Sequence, residues 1–189
     1  MKRILALAVI SFALSACDQE QASVTQPPPH DLTPDAIGYF CGMNVQEHPG
    51  PKGQIILASR SDPVWFSSAR DALAFTLLPE EPKDIQAIYV SDMGKAPSWD
   101  KPGAANWVEA HRAVFVIGSR LKGGMGADEA VPFSDWSTAE KFASEQGGRI
   151  VSFGDMPRDY ILAGETSATG VLPKASEPEA APQPPGSKP

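Results

Sequence analysis

The sequence predicts an α+β fold of two similar ββαβ units in tandem, flanked by a disordered N-terminal tether and a disordered C-terminal tail. Three observations indicate this class. Short runs of β-branched and aromatic residues alternate with stretches of helical spacing, and the order strand, strand, helix, strand occurs twice. The segments that open the two helices have similar sequences. Both ends of the chain are rich in proline and polar residues, which cannot build a core.

The first unit, residues 37–95, is predicted from a hairpin, a helix and a strand. A turn rich in proline and glycine separates two short extended runs, which indicates the hairpin. Apolar residues then recur at helical spacing, and the helix should end before Pro79, because proline cannot continue it. An apolar run with β-branched members closes the unit. The strands are predicted at 39–45, 54–59 and 85–90, and the helix at 65–76.

The second unit, residues 96–165, repeats this order after a loop. A strand over 113–117 is followed by a glycine-rich segment, a helix over 132–146 that ends at two glycines, and a strand over 149–153. The helix openings are similar, with Trp65-Phe66-Ser67-Ser68 in one unit and Pro132-Phe133-Ser134-Asp135 in the other. This similarity favours an internal duplication. Chance similarity between short helices is the alternative.

The N-terminus is typical of a bacterial lipoprotein signal. Lys2 and Arg3 precede an apolar stretch over 4–14, and small residues then lead to Cys17. This stretch is shorter than the roughly 20 residues of a membrane-spanning helix, so residues 1–16 are predicted to be cleaved and Cys17 to carry the lipid. The alternative is an ordinary secretory leader that is cut near Cys17. A tether over 17–36 would follow, and residues 166–189 form the predicted tail.

Composition excludes several classes of partner. The formal net charge is −7 and becomes −9 once the leader with Lys2 and Arg3 is removed. No cluster of basic residues survives to neutralise phosphates, so nucleic acid is excluded as a partner. The same acidity disfavours adhesion to anionic lipids, and attachment should depend on the acyl chains. After lipidation of Cys17, Cys41 is the one remaining thiol.

Cys41-Gly42-Met43 is the most specific chemical motif of the chain. In an extended segment or a tight turn the two sulfur atoms can face the same side. A thiolate with a thioether is a soft donor pair, which selects Cu(I) over harder ions. Met125, which lies between two glycines, is the best candidate for a further donor. Met93 ranks next, as a donor or a wall residue of the site, and Met156 ranks last.

The three histidines give a weaker indication. His30 and His48 are expected to be solvated loop residues. His111, which precedes a strand, is either a structural residue or an additional donor at the wall of the site. No H-x-x-x-H spacing is present, so a catalytic zinc site is not indicated. A G-x-S-x-G elbow and a phosphate-binding loop are also absent.

Several motifs taken in order resemble the NosL family of nitrous oxide reductase accessory lipoproteins. They are the segment ending at Cys17, Phe40-Cys41-Gly42-Met43, Tyr89-Val90-Ser91-Asp92-Met93, Gly123-Gly124-Met125-Gly126 and Ala130-Val131-Pro132-Phe133. The resemblance covers most of residues 37–161. It implies two similar ββαβ units, and copper ligands at Cys41, Met43 and Met125.

The resemblance also implies a function. The chain would be a non-enzymatic Cu(I) chaperone that delivers copper toward apo nitrous oxide reductase and works with a NosDFY membrane complex of ABC type. Its expected place is the periplasmic face of the inner membrane, which Asp18 after the lipidated cysteine favours, with the outer membrane as the alternative. A thiol-dependent redox protein and a purely structural lipoprotein are the competing hypotheses.

Overall fold

In a computed structural model of the chain, residues 26–166 are described. The predicted leader, the lipidation residue Cys17, residues 17–25 of the predicted tether and almost all of the predicted tail lie outside them. Within residues 26–166, no helix is long and apolar enough to cross a membrane.

The first unit contains a four-stranded antiparallel sheet. Its strands are β1 (Gly53–Leu57), β2 (Val64–Phe66), β3 (Ile85–Ser91) and β4 (Trp107–Glu109), arranged in the order β2-β1-β3-β4. β1 is buried along its whole length, because strands pair with it on both sides and helix α1 (Ala69–Leu77) packs against it. β4 lies within residues 96–165, which the sequence assigned to the second unit, but it pairs with β3 and adds an edge strand to the first sheet.

The second unit contains a three-stranded antiparallel sheet. Its strands are β5 (Val114–Ile117), β6 (Val131–Phe133) and β7 (Arg149–Ser152), arranged in the order β6-β5-β7. Helix α2 (Trp136–Gln146) connects β6 to β7. Each unit therefore places its first strand between its second and third strands, and the predicted α+β fold of two similar ββαβ units is confirmed. A further helix, α3 (Arg158–Thr166), follows the second unit and was not predicted.

The two helices that belong to the units begin in the same way. The side chain of Ser68 accepts a hydrogen bond from the backbone N–H of Asp71, and that of Asp135 accepts one from Thr138. These N-caps satisfy backbone donors that a helix start leaves free. Pro79 follows the end of the first helix as predicted, and Gly147, with φ of +77°, ends the second.

One core joins the two units. The largest buried cluster combines Ile55 and Phe75 of the first unit with Phe115 and Val151 of the second, and Ile161 of α3 packs into it. Cores of this kind are close-packed, so they hold the elements around them at fixed distances. The loops of the two units are therefore held in a fixed relation to each other.

Three predicted elements differ from the structure: one strand is absent, and both helices begin later than expected. The strand expected at 39–45 is a tight turn, and the hairpin is formed by β1 and β2 instead. The helix expected from Trp65 begins at Ala69, because Trp65 lies in β2, where burial alternates as in a half-buried strand. The second helix likewise begins after Asp135, and Pro132 belongs to β6.

The expectation of a free tether up to residue 36 fails for its last part. Leu32 and Ala36 are buried with Val45 beneath Trp65 and Trp107. The backbone of His30 exchanges two hydrogen bonds of 2.8 Å with the Gln54 side chain, and Tyr89 donates to the carbonyl oxygen of Pro27. Residues 27–36 thus form part of the folded body, because they cover one face of the first sheet across all four of its strands.

Candidate metal centre

Cys41 lies in a tight turn that its own backbone closes. The N–H of Gly38 donates to the carbonyl oxygen of Met43 at 2.9 Å, and the N–H of Gly42 donates to that of Gly38 at 2.8 Å. Outside the turn, the N–H of Tyr39 donates to the carbonyl oxygen of Trp65 at 2.8 Å. The turn is therefore fixed to β2 and presents Cys41 and Met43 together.

Two glycines make this turn possible for different reasons. Gly42 has φ of +65°, a left-handed conformation that glycine adopts without steric cost. At Gly38 a Cβ atom would lie only 2.6 Å from the Sγ atom of Cys41. The space beside Gly42 is open, since a Cβ there would meet no heavy atom within 4 Å.

The thiol of Cys41 is half-buried and free. Its Sγ atom lies 3.1 Å from the Oγ atom of Ser67, and 4.0 Å from the carbonyl oxygens of Gly38 and Met43. Ser67 itself is buried at the end of β2. The thiol thus has one polar side-chain neighbour beneath it and solvent on the other side.

Met43 and Met125 are the exposed methionines of the described residues, with 39% and 52% of their surface accessible. Met125 lies at the tip of the long loop between β5 and β6. The N–H of Gly123 donates to the carbonyl oxygen of Ala127, and that of Gly126 donates back to Gly123. At these exposed positions neither methionine side chain packs in a core, so both thioethers are accessible to a ligand.

The structure brings this loop next to the cysteine turn. Phe40, which precedes Cys41, and Ala127, two residues after Met125, line the same cavity of about 370 Å³. On the other side of the loop, a Cβ atom at Gly124 would lie 2.5 Å from the Cβ of His48. The segments that carry Cys41, Met43 and Met125 are therefore neighbours in space, although about eighty residues separate them along the chain.

The lower-ranked donors have other contacts. Met93 packs into the second-unit core with Val131 and Phe133, and Met156 packs against the main core. The Nδ1 atom of His111 lies 2.6 Å from Glu109, and its ring contacts the Phe153 ring at 4.1 Å between centroids. These packing contacts agree with the ranking from the sequence, and the ligand set itself stays a prediction.

His48 differs from its expected role as a solvated loop residue. Its side chain is half-buried, and its Nε2 atom is buried without a hydrogen-bond partner among the described residues. His30 fits the expectation better, because its side chain is exposed while its backbone is bonded to Gln54. Proline and glycine around His48 predicted a turn, but they gave no indication that the loop of Met125 covers it.

Two charged residues beside the site could not be recognised from the sequence. Lys52 and Glu129 are each 1% exposed. Burial lowers the pKa of Lys52 to about 8, while the neighbouring Glu129 and Cys41 groups act to raise it. Burial raises the pKa of Glu129 to about 7, against the hydrogen bonds that it accepts from the backbone of Arg70 and Ala130.

Glu129 connects the Met125 loop to the core. Its Oε1 atom accepts from the backbone N–H groups of Arg70 and Ala130, each at 2.9 Å. Its Oε2 atom has no partner among the described residues and faces Gly123, where a Cβ atom would lie 2.7 Å away. The Arg70 side chain donates to the carbonyl oxygens of Asp128 and Ile161. The base of the loop is thus bonded to α1 and α3.

Within residues 26–166, no group of three or more histidine, cysteine, aspartate or glutamate side chains is placed to hold a metal ion. Thioethers lie outside that set of ligands. The cysteine turn and the neighbouring loop carry a thiol and two thioethers, donors that favour soft, monovalent metal ions. Fold and site together define a class of small α+β proteins that present sulfur donors on an exposed turn and loop.

The chain belongs to the NosL family, whose sequence profile matches residues 29–161. It is 42% identical over 176 residues to a copper-binding lipoprotein NosL of Achromobacter cycloclastes, covering 93% of this chain and 89% of that protein. It is 30% identical to the copper-binding lipoprotein NosL of Stutzerimonas stutzeri, over 81% of this chain and 78% of that one. The crystal structure of the copper chaperone NosL from Shewanella denitrificans matches with a TM-score of 0.65 at 33% identity, over 70% of this chain and 98% of that chain.

Proposed function

We propose that this chain is a lipid-anchored copper chaperone that binds one Cu(I) ion through Cys41, Met43 and Met125. The relatives named above as copper-binding lipoproteins and as a copper chaperone support the proposal. The observation that carries it is the placement of the sulfur atoms: the two exposed methionines of the described residues lie on the turn and the loop that meet beside the free thiol.

The chemistry of these donors suits transfer rather than storage. One thiolate and two thioethers neutralise the single charge of Cu(I) and offer soft ligands. Three sulfur donors on a surface leave one side open, so a ligand of a receiving protein can enter before the first donors leave. Binding and release of this kind need no turnover, and the protein acts as a binding protein rather than an enzyme.

The surface around the donors fits contact with another protein. Ile37, Tyr39 and Phe40 are exposed apolar side chains on the same turn as Cys41, and the two exposed methionines extend this surface. Contiguous apolar patches on a soluble body mark interaction sites. The receiving protein would cover these side chains while its own ligand approaches the copper ion.

Family membership supports a proposal for the partners and the location. We propose apo nitrous oxide reductase as the final receiver, a NosDFY membrane complex as the assembly partner, and denitrification as the process served. Cys17 would carry the acyl chains and hold the protein at the periplasmic face of the inner membrane. In cells that carry Cys41→Ser, nitrous oxide reductase should accumulate with a deficit of copper, which metal analysis of the purified enzyme measures.

Competition with bathocuproine disulfonate under reducing conditions tests the donor set. The processed chain should carry Cys17→Ser, so that Cys41 is its one thiol. We expect one equivalent of Cu(I), a loss of affinity of about a hundredfold for Cys41→Ser, and a loss of about tenfold each for Met43→Leu and Met125→Leu. Leucine conserves the volume of methionine, so the fold should survive.

Met93→Leu and Met156→Leu are matched controls, because these methionines pack in the two cores. They should leave the affinity unchanged. An affinity for Cu(I) that Cys41→Ser does not alter, or a loss in the Met93→Leu control equal to that in Met125→Leu, would contradict the proposed site. Turnover of a thiol or disulfide substrate that depends on Cys41 would instead favour a redox protein.

A further inference from the structure

Lys52 lies buried between the two segments that carry the sulfur donors. It precedes β1 directly, in the turn Pro49-Gly50-Pro51-Lys52-Gly53, and its side chain is 1% exposed. Its backbone is fixed by Ser91, whose N–H donates to the Lys52 carbonyl oxygen at 3.0 Å and whose hydroxyl accepts from the Lys52 N–H at 3.0 Å. The long side chain therefore starts from a rigid strand end.

The ammonium group of Lys52 donates to three backbone carbonyl oxygens. Its Nζ atom donates to His48, to Pro49 at 3.3 Å and to Ser67 at 3.4 Å. An ammonium group has three N–H donors, so its hydrogen-bonding capacity is filled by these partners. Two of the carbonyl groups belong to the segment before β1, and the third lies at the end of β2.

The partner at the end of β2 leads to the cysteine. Ser67 offers its carbonyl oxygen to Lys52, while its hydroxyl lies 3.1 Å from the Sγ atom of Cys41. The position of the Ser67 backbone determines where this hydroxyl meets the thiol. Lys52 thus acts on the first sulfur donor through one intervening residue.

The other two partners lead to Met125. Gly124 packs against His48 and Pro49 so closely that a Cβ atom would lie 2.5 Å from the His48 Cβ and 2.9 Å from the Pro49 carbonyl oxygen. That carbonyl oxygen accepts from Lys52. The Met125 loop therefore rests on the segment that Lys52 holds in place.

Burying this charge costs free energy, as its depressed pKa shows. An apolar side chain of similar length would avoid that cost and still fill the space. A buried ammonium group can instead donate hydrogen bonds to three carbonyl oxygens of two segments and so hold the segments together. An apolar side chain has no donor with which to do this.

We infer that Lys52 is a positioning residue for the metal site, which fixes the segment bearing Cys41 relative to the loop bearing Met125. This inference rests on the proposed function. Lys52 would set the distance between Cys41 and Met125 without binding the metal ion itself. Loss of Lys52 should therefore weaken the contribution of Met125 to copper binding more than it weakens the thiol.

A double-mutant cycle on the processed chain with Cys17→Ser tests this inference, since coupled residues show non-additive effects. Cu(I) affinity is measured for the unsubstituted chain, Lys52→Leu, Met125→Leu and the double variant. Leucine is used at position 52 because it adds no sulfur donor. We expect a loss of about tenfold for Lys52→Leu alone, and less than about a twofold further loss when Met125→Leu is already present. X-ray absorption of the loaded Lys52→Leu variant should show two sulfur neighbours where the unsubstituted chain shows three.

Lys83→Leu is the matched control, because the Lys83 ammonium group also donates to backbone carbonyl oxygens, those of Thr76 and Leu78, but is exposed. It should leave the affinity unchanged. If Lys52→Leu does not fold, Gly124→Ala replaces it in the same cycle, since a Cβ there displaces the loop from His48. Additive losses, or three sulfur neighbours in Lys52→Leu, would overturn the inference. An unsubstituted chain that binds no Cu(I) would instead refute the proposed function.

Discussion

The two ββαβ units share one topology but differ in the length of their first loop and in how deeply their helix is buried. In the first unit β1 and β2 are joined by residues 58–63, whereas in the second β5 and β6 are joined by residues 118–130, which include Met125 and Glu129. The first helix buries five of its residues, whereas the second buries only Ala139. The first unit thus supplies most of the shared core, and the second contributes an extended loop to the site.

The largest expected effect tests this division of the core. Phe75 of α1 is fully buried and packs against the rings of Phe66 and Tyr39, whereas Phe142 of α2 is half-buried. Phe75→Ala should lower the free energy of unfolding by about 3–5 kcal/mol, and Phe142→Ala by about half as much. Urea unfolding followed by tryptophan fluorescence measures both, and equal losses would show that the two helices contribute alike.

The next effect sharpens the role of the second-unit loop. The pKa of Glu129 is about 7 in the folded protein against 4.5 for an unperturbed carboxyl, so the folded state holds a proton that the unfolded state has lost between these values. Glu129 should therefore make the protein less stable as the pH rises from about 4.5 to about 7. In Glu129→Gln this part of the dependence should disappear.

Unfolding free energies from pH 4.5 to 9 check this prediction. The pKa of Lys52 is depressed to about 8, so above that pH the folded state has lost a proton that the unfolded state still holds. Lys52 should therefore make the protein more stable as the pH rises above about 8, which is the opposite sign and a higher pH range than for Glu129. The two windows are therefore separable. A pH dependence between 4.5 and 7 that is the same in Glu129→Gln and the unsubstituted chain would show that another group causes it.

The smallest effect concerns the caps that the two units share. Ser68→Ala should lower the stability by about 1 kcal/mol, and Asp135→Ala should shift it in the same direction. Hydrogen bonds from Ser137 and Thr138 hold the pKa of Asp135 below its usual value, so its contribution should vanish as acidification protonates it. The contribution of Ser68 should persist there. Thermal unfolding at neutral pH and near pH 3 compares the two, and a parallel loss would contradict this distinction.

Local patterns were sufficient for much of the fold. Four of the strands were predicted within one or two residues, because β-branched runs and glycine turns define them, and Pro79 marked the end of the first helix. Trp65 was assigned to a helix because three residues of alternating burial are too short to distinguish a strand from helical spacing. The cap residue Ser68 was the signal that could have corrected this boundary.

Some residues of the candidate site could likewise be predicted from local sequence, and others could not. Exposure of Met125 followed from its glycine neighbours, and the packing of Met93 and Met156 agrees with their lower rank. Lys52 and Glu129 could not be predicted, because charged residues in turn segments are normally solvated. Their burial depends on contacts between segments far apart in sequence, such as that of Glu129 with Arg70 and that of the Lys52 ammonium group with Ser67.

The docked segment before the first unit has a consequence for where the protein can act. Within the part of the chain that the structure describes, Pro27 is bonded to the sheet through Tyr89, and it follows Cys17 by ten residues. Ten residues span at most about 35 Å even when fully extended. With acyl chains on Cys17, the sulfur-bearing face would work within a narrow layer above the bilayer, where a membrane-bound acceptor is within reach and a freely diffusing one must come to it.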